Sequence, residues 1–356
     1  MFGALAAMVL AVAAAQPLAP AAPPARGAAP RRASSGRVVA RGIPFPTNLA
    51  FDPVGGLWVT AGAGLARPGD GVWYVRRPGG RPRHVARGLT TPLGLTWFRS
   101  ELYVAHVVSP RIGRVTAFTG FDGRRFRRRR VVVRALPIGR HTVDSIAPGP
   151  GGRLYLGVGS EFDNRRSRRP LAGTVVSFRP GGRGLRVEAR GLRNPYGLAF
   201  VPGTRNLLVT DNGRDDLGPR RPPDELDVFD VAGPAPDFGF PRCFGRGGAG
   251  CAGKRPALAT FPPHASSDGL AVTRHWGRAG LTAFVAENGS SFPRAPTGRD
   301  IRRIALTRRR DGSYRARVSV FARGFRQNDP LGAAIGPDRR LYVTLFVSGQ
   351  VRRFAP

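Results

Sequence analysis

One phrase recurs along this 356-residue chain, and its recurrence constrains the fold more than any other feature. Ala40-Arg41-Gly42-Ile43, Pro46, Leu49-Ala50-Phe51 and Leu57-Trp58-Val59 return as Ala86-Arg87-Gly88-Leu89, Pro92, Leu95-Thr96-Trp97 and Leu102-Tyr103-Val104. The same order reappears from Ala189-Arg190-Gly191-Leu192 to Leu207-Leu208-Val209, and from Ala322-Arg323-Gly324-Phe325 to Leu341-Tyr342-Val343. Degenerate copies, Ile146-Ala147 with Leu154-Tyr155-Leu156 and Gly269-Leu270-Ala271 with Ala283-Phe284-Val285, fill the gaps. The six apolar centres fall at 58, 103, 155, 208, 284 and 342. Each unit reads as a strand, a Pro/Asp/Gly turn, a second strand and two further amphipathic strands, such as Val72–Arg76 and His84–Arg87. Four strands bury neither face alone, and radial stacking around an axis covers both. The expected fold is therefore all-β, a six-bladed β-propeller over 39–356.

The long interval between the centres at 208 and 284 marks an insertion over 211 to about 262, where binding function tends to sit in repeat proteins. Seven of the chain's 22 acids lie there between 211 and 230: Asp211, Asp215, Asp216, Asp224, Glu225, Asp227 and Asp230. Hard oxygen ligands on Gly/Pro-rich loops suit Ca²⁺; ion pairs with Arg214, Arg220 and Arg221 are the alternative. Just upstream, Arg193 and Asn194 interrupt the repeat before Pro195, on a loop leading into a strand near the expected axis. A planar, oxygen-rich ligand could take bidentate hydrogen bonds from such a pair. On the matching loop one unit earlier, His141 stands three positions from Asp144, a spacing that lets a carboxylate hold an imidazole in one tautomer.

The start of the chain and its cysteines address compartment. Leu5–Ala15 is apolar and ends in small residues, which reads as a signal peptide over 1–15, followed by a Pro/Ala-rich linker over 16–38. No segment approaches the ~20 apolar residues of a spanning helix. Cys243 and Cys251, eight positions apart in a Gly-rich loop, are expected to form a disulfide, consistent with a secreted or periplasmic protein. The formal charge is +35, yet the basic residues are almost all arginine, with Lys254 the single lysine, a skew that resembles codon bias. The arginines are scattered, and the run Arg124–Arg130 reads as a solvated hairpin loop. Non-specific contact with polyanions follows from that field; a specific nucleic-acid site does not.

The stretch from Gly191 through Thr210-Asp211-Asn212-Gly213-Arg214-Asp215-Asp216-Leu217-Gly218, Pro222-Pro223-Asp224-Glu225-Leu226 and Asp237-Phe238-Gly239-Phe240-Pro241-Arg242-Cys243-Phe244-Gly245 resembles the glucose/sorbosone dehydrogenase family. These are exported six-bladed propellers, some of which use pyrroloquinoline quinone (PQQ) with Ca²⁺. The resemblance implies an oxidoreductase acting on a sugar or related alcohol and passing electrons to an external acceptor. It matches His141 to the catalytic base, Arg193 to a catalytic and cofactor contact, and Asn194 to a cofactor contact. The carbonyls of Gly213 and Arg214 match ligands of the cofactor-bound Ca²⁺, with Asp224 and Glu225 near a structural calcium. The final repeat departs from PQQ-binding members: Asn328-Asp329-Pro330-Leu331-Gly332 stands where they supply arginines, and Thr344-Leu345-Phe346-Val347 where acids are common. A non-catalytic extracellular propeller binding glycans or envelope components is the competing reading.

Overall fold

The computed structural model describes residues 36–356, apart from 63, 65, 66, 249 and 291–295. The expected signal peptide and nearly all of the linker thus lie outside the described residues. Six four-stranded antiparallel sheets surround an axis, each with its first strand innermost. Blade 1 is β2 (Pro46–Phe51), β3 (Leu57–Ala61), β4 (Gly71–Val75) and β5 (Arg83–Arg87), preceded in the chain by β1 (Arg37–Arg41). Blade 2 follows as β6 (Thr90–Phe98), β7 (Glu101–Ser109), β8 (Ile112–Phe121) and β9 (Phe126–Pro137). Blade 3 comprises β10 (Val143–Gly149), β11 (Arg153–Val158), β12 (Thr174–Phe178) and β13 (Arg186–Arg190). In blade 4, β14 (Pro195–Phe200) and β15 (Asn206–Asp211) precede β16 (Pro223–Asp230) and β17 (Ala259–Pro263). Blade 5 is formed by β18 (Ser267–Thr273), β19 (Thr282–Glu287), β20 (Asp300–Arg308) and β21 (Tyr314–Ala322). The last blade has only β22 (Pro330–Ile335), β23 (Leu341–Leu345) and β24 (Gln350–Phe354) from its own end of the chain, and β1 pairs with β24 as its fourth strand.

That closure explains the phase of the repeated phrase. Ala86-Arg87, Ala189-Arg190 and Ala322-Arg323 stand at the ends of outer strands, so the phrase straddles a blade boundary. Its first copy, Ala40-Arg41, has no preceding blade in the sequence and closes the ring on the last one. The apolar centres all fall on second strands, where Trp58, Tyr103, Tyr155, Leu208, Phe284 and Tyr342 are buried. Each of six apolar clusters joins two neighbouring blades. Burying one such aromatic side chain stabilises by about 2–3 kcal/mol, so the repeated residues supply the inter-blade adhesion directly.

Two sequence expectations are refined. Arg127–Arg130 lie on β9, the outer edge of blade 2, and only Arg124 and Arg125 belong to the turn of the hairpin. Charged side chains on an outer strand discourage pairing with another sheet edge. The insertion contains β16 and β17, two regular strands of blade 4; the added length is the loop 212–222 and the excursion 231–258, pinned by the Cys243–Cys251 disulfide.

Inner strands carry a register shift near their start in all six blades. Glycine follows there because the next blade presses on it: a Cβ on Gly197 would overlap the carbonyl oxygen of Asp268, and one on Gly269 that of Leu331. Blades 1 and 3 instead have Asn48 and Ser145, and Asn48 Nδ2 donates to the carbonyl of Leu93 at 2.9 Å and to Ser145 Oγ at 3.1 Å. It thereby ties blade 1 to blade 3 past the glycine, Gly94, of blade 2.

Candidate functional site

In an antiparallel four-stranded blade, the loop between second and third strands and the loop to the next blade emerge at the same end of the sheet. On blades 3 to 5 this end gathers His141, Arg193, Asn194, Asp163, Asp215 and His264. His141 is buried, its amide donates to the carbonyl of Ser160 at 3.1 Å, and its Nε2 has no hydrogen-bond partner. Burial, and after it the positive charge of Arg193, hold His141 well below the ordinary histidine range against the opposing pull of Asp215. The imidazole is therefore neutral at physiological pH, the form in which it accepts a proton.

Arg193 is the organising cation of this face. Its Nε donates to the Asp163 carbonyl at 3.2 Å, Nη1 to the Asn212 carbonyl at 3.1 Å, and Nη2 to Asp163 Oδ1 and, at 2.8 Å, to Asp215 Oδ2. Below it, the carboxylate of Asp211 accepts the amides of Arg193 and Asn194. Burial pushes Asp215 up, but the bond with His264 and the charge of Arg193 outweigh it and leave this carboxyl well below its usual range. Arg140 Nη2 reaches the same carboxylate at 3.3 Å.

The expected metal residues are divided. Asp224 spends both oxygens on backbone amides, those of Gly213 at 2.9 Å and Ser267 at 3.0 Å, bracing blade 4 against blade 5. Glu225 points to the opposite face of β16, as successive strand residues must, accepts the amide of Gly245 and lies across from Asp211 in the register. Burial and then the Asp211 charge push Glu225 up to about 8. The cleft beside it is lined by Arg193, Gly213, Arg214, Phe238, Phe240 and Cys243 among others. Gly213 and Arg214 thus border the same cleft as Glu225, whereas Asp224 does not. Of the proposed ion pairs, Arg214 with Asp216 forms at 2.6 Å. Sequence reasoning missed Asp163 and His264: neither lies in the acidic stretch or the repeated phrase, and only the folding of three loops onto one end brings them to Asp215.

Fold and site define a six-bladed propeller whose axial end carries a neutral buried histidine beside an arginine–carboxylate network. No family model matches the chain. An uncharacterised protein of Borreliella burgdorferi is 22% identical over 309 residues, covering 81% of this chain and 78% of that protein. Solved structures of the same architecture include the PQQ-bound aldose sugar dehydrogenase of Streptomyces coelicolor, at TM-score 0.70 and 22% identity over 89% of this chain and 96% of that one. A Thermus oxidoreductase described as a putative glucose dehydrogenase matches at TM-score 0.69 and 26% identity, covering 89% and 98%. The PQQ domain of Coprinopsis cinerea pyranose dehydrogenase matches at TM-score 0.71 and 17% identity, covering 91% and 96%. In architecture the chain is a sugar-dehydrogenase-like propeller, the class that its Gly191–Gly245 stretch resembles. Among the described residues no helix is long and apolar enough to cross a membrane.

Proposed function

We propose that this protein is an exported dehydrogenase, dependent on PQQ and Ca²⁺, that oxidises a sugar or related alcohol. The observation that carries the reading is His141: a neutral, buried imidazole with an unpartnered Nε2, next to Arg193 on the loop-bearing end of a propeller shared with sugar dehydrogenases. An orphaned acceptor of this kind fits a substrate hydroxyl, whose proton His141 Nε2 takes as general base. The donor set fits a planar polycarboxylate as well. Arg193 and Asn194 would contact it, and an acidic group taking Arg193 Nη2 would displace Asp215, whose side chain is 41% exposed. The carbonyls of Gly213 and Arg214 would ligate its calcium, and Glu225 would serve a structural calcium. PQQ, when bound, supplies the two-electron acceptor for the hydride of the alcohol carbon. The chain's own contribution is to orient the hydroxyl on His141, keep that base neutral and set a fixed positive field beside it.

An apolar N-terminal stretch and the Cys243–Cys251 disulfide support export. The competing reading, a non-catalytic glycan-binding propeller, draws on the final inter-blade loop, which has Asn328-Asp329-Pro330 in place of arginines and spends Asp329 on the Ser348 amide and hydroxyl, leaving no cation at those positions for a cofactor carboxylate. Adding PQQ and Ca²⁺ to the purified apoprotein separates the two. The enzyme reading expects a bound quinone absorbance that sugars or polyols bleach. Absence of both binding and bleaching across a sugar and polyol panel transfers the protein to the binder class.

A further inference from the structure

The register shifts at the starts of three consecutive inner strands place chemically unlike residues at equivalent positions. In β10 the shift lies between Val143 and Ile146, in β14 between Pro195 and Leu198, and in β18 between Ser267 and Leu270. Asp144, Tyr196 and Asp268 therefore occupy the same level of neighbouring blades close to the axis. The other half of the ring is unlike it, with Thr47, Leu93 and Leu331 in the corresponding shifts. Asp144 and Asp268 are buried to 1% and 3% exposure, and the arginines described pair with neither. The charges acting on Asp144 are those of Asp268 and Asp211, and on Asp268 that of Asp224. Neutral donors reach both, Thr142 Oγ1 at Asp144 Oδ1 (3.4 Å) and Ser266 Oγ at Asp268 Oδ2 (2.9 Å), but none of the described cations does, and buried carboxylates left without a positive charge call for a cation from outside.

Oxygen atoms without partners belong to two of the three axial residues and to Asn212, which is bonded to the third. Asp144 Oδ2, the Tyr196 hydroxyl and Asn212 Oδ1 are all buried and unbonded. Tyr196 feels both Asp268 and Asp144, and Asn212 Nδ2 donates to Asp268 Oδ1 at 2.7 Å, which fixes its amide beside that carboxylate. Thr210 Oγ1 holds the Asp268 carbonyl at 2.7 Å and anchors the strand from behind.

We infer that the propeller axis holds a divalent cation of the Ca²⁺ type between Asp144 and Asp268, with the Tyr196 hydroxyl and Asn212 Oδ1 completing its oxygen shell. Two carboxylates with neutral oxygens are the donor set of a hard cation. The site meets the cleft beside Glu225 only at Asn212, which lines both, and it does not depend on the dehydrogenase reading. It would join blades 3, 4 and 5 through a single ion, as Asn48 joins blades 1 to 3 through hydrogen bonds.

Chelator-treated full-length protein titrated with Tb³⁺ tests this, because Tyr196 would sensitise Tb³⁺ emission from this site. Saturable tyrosine-sensitised emission, displaced by Ca²⁺, is expected. Asp144→Asn and Asp268→Asn should each weaken it about tenfold or more, and Tyr196→Phe should abolish it, while Glu225→Gln leaves it in place. A Ca²⁺-induced rise in melting temperature should likewise shrink in the two Asn variants. Emission that persists in both Asn variants, or disappears only in Glu225→Gln, overturns the site. So does a wild-type protein with no tyrosine-sensitised emission whose Asn variants melt higher without Ca²⁺, since the axis then carries protonated carboxyls.

Discussion

Replacing Arg193 by Ala removes the cation on which three loops of the candidate site converge. The guanidinium side chain is 4% exposed and contacts Asp163, Asp215 and the Asn212 carbonyl. Deleting one partner of a buried ion pair costs about 3–5 kcal/mol, because the other charge stays behind without compensation. Here the stranded carboxylates regain water in part, their side chains being 23% exposed in Asp163 and 41% in Asp215, so the lower end of that range, about 3 kcal/mol, is the expected loss. A second consequence is local: without the Arg193 charge, the Asp215 carboxyl moves back toward its ordinary range, and the depression of His141 eases. Urea unfolding of wild type, Arg193→Ala, Asp163→Ala and the double variant measures the coupling directly. Arg193→Lys keeps the charge but loses the fork of donors, and should fall between wild type and Ala. A loss below about 0.5 kcal/mol for Arg193→Ala would refute the reasoning, since it would mean that the network is solvated and dispensable.

Three further outcomes follow from the same geometry. His141→Gln should lower sugar oxidation by the PQQ-loaded protein about 100-fold while PQQ binding, read by quinone absorbance, is retained; an unchanged kcat removes His141 from the chemistry. His106 is held by burial at about 4 with Nε2 2.9 Å from Thr116 Oγ1, so it stays neutral in the fold while the unfolded chain protonates below 6.5. Stability should therefore be full above pH 6.5 and fall by up to about 3 kcal/mol as pH drops toward 4, and urea midpoints of His106→Gln should lack that component. Gly269→Ala should cost about 3 kcal/mol or prevent folding, because its Cβ meets the Leu331 carbonyl and lies 2.6 Å from the Ala333 amide, whereas Gly280→Ala, with open space around it, should be near neutral in a thermal melt.

The architecture was legible in the chain because a propeller is a periodic solution to a periodic problem. Every blade must bury both faces against its neighbours, so each second strand needs an aromatic or aliphatic centre, and Trp58, Tyr103, Tyr155, Leu208, Phe284 and Tyr342 repeat accordingly. The disulfide was legible as well, from two cysteines within reach along the chain. Arg193 stood out because it interrupts the repeat, and His141 because it stands on the matching loop three positions from Asp144; the structure puts them on neighbouring loops of one end. What they do to one another was not legible: Arg193 meets Asp163 and Asp215, 30 and 22 positions away, only once blades 3 and 4 stand side by side. The acidic stretch makes the same point. Seven acids read as one cluster along the chain, yet pleating sends Asp224 and Glu225 to opposite faces, pairs Asp216 with Arg214, and turns Asp215 to His264. Closure of the ring by β1, and the convergence of Asp144, Tyr196 and Asp268 near the axis, likewise belong to the tertiary structure. Periodic burial is written locally in residue type, whereas electrostatic partnership depends on distance in space, which only the closed ring of blades sets.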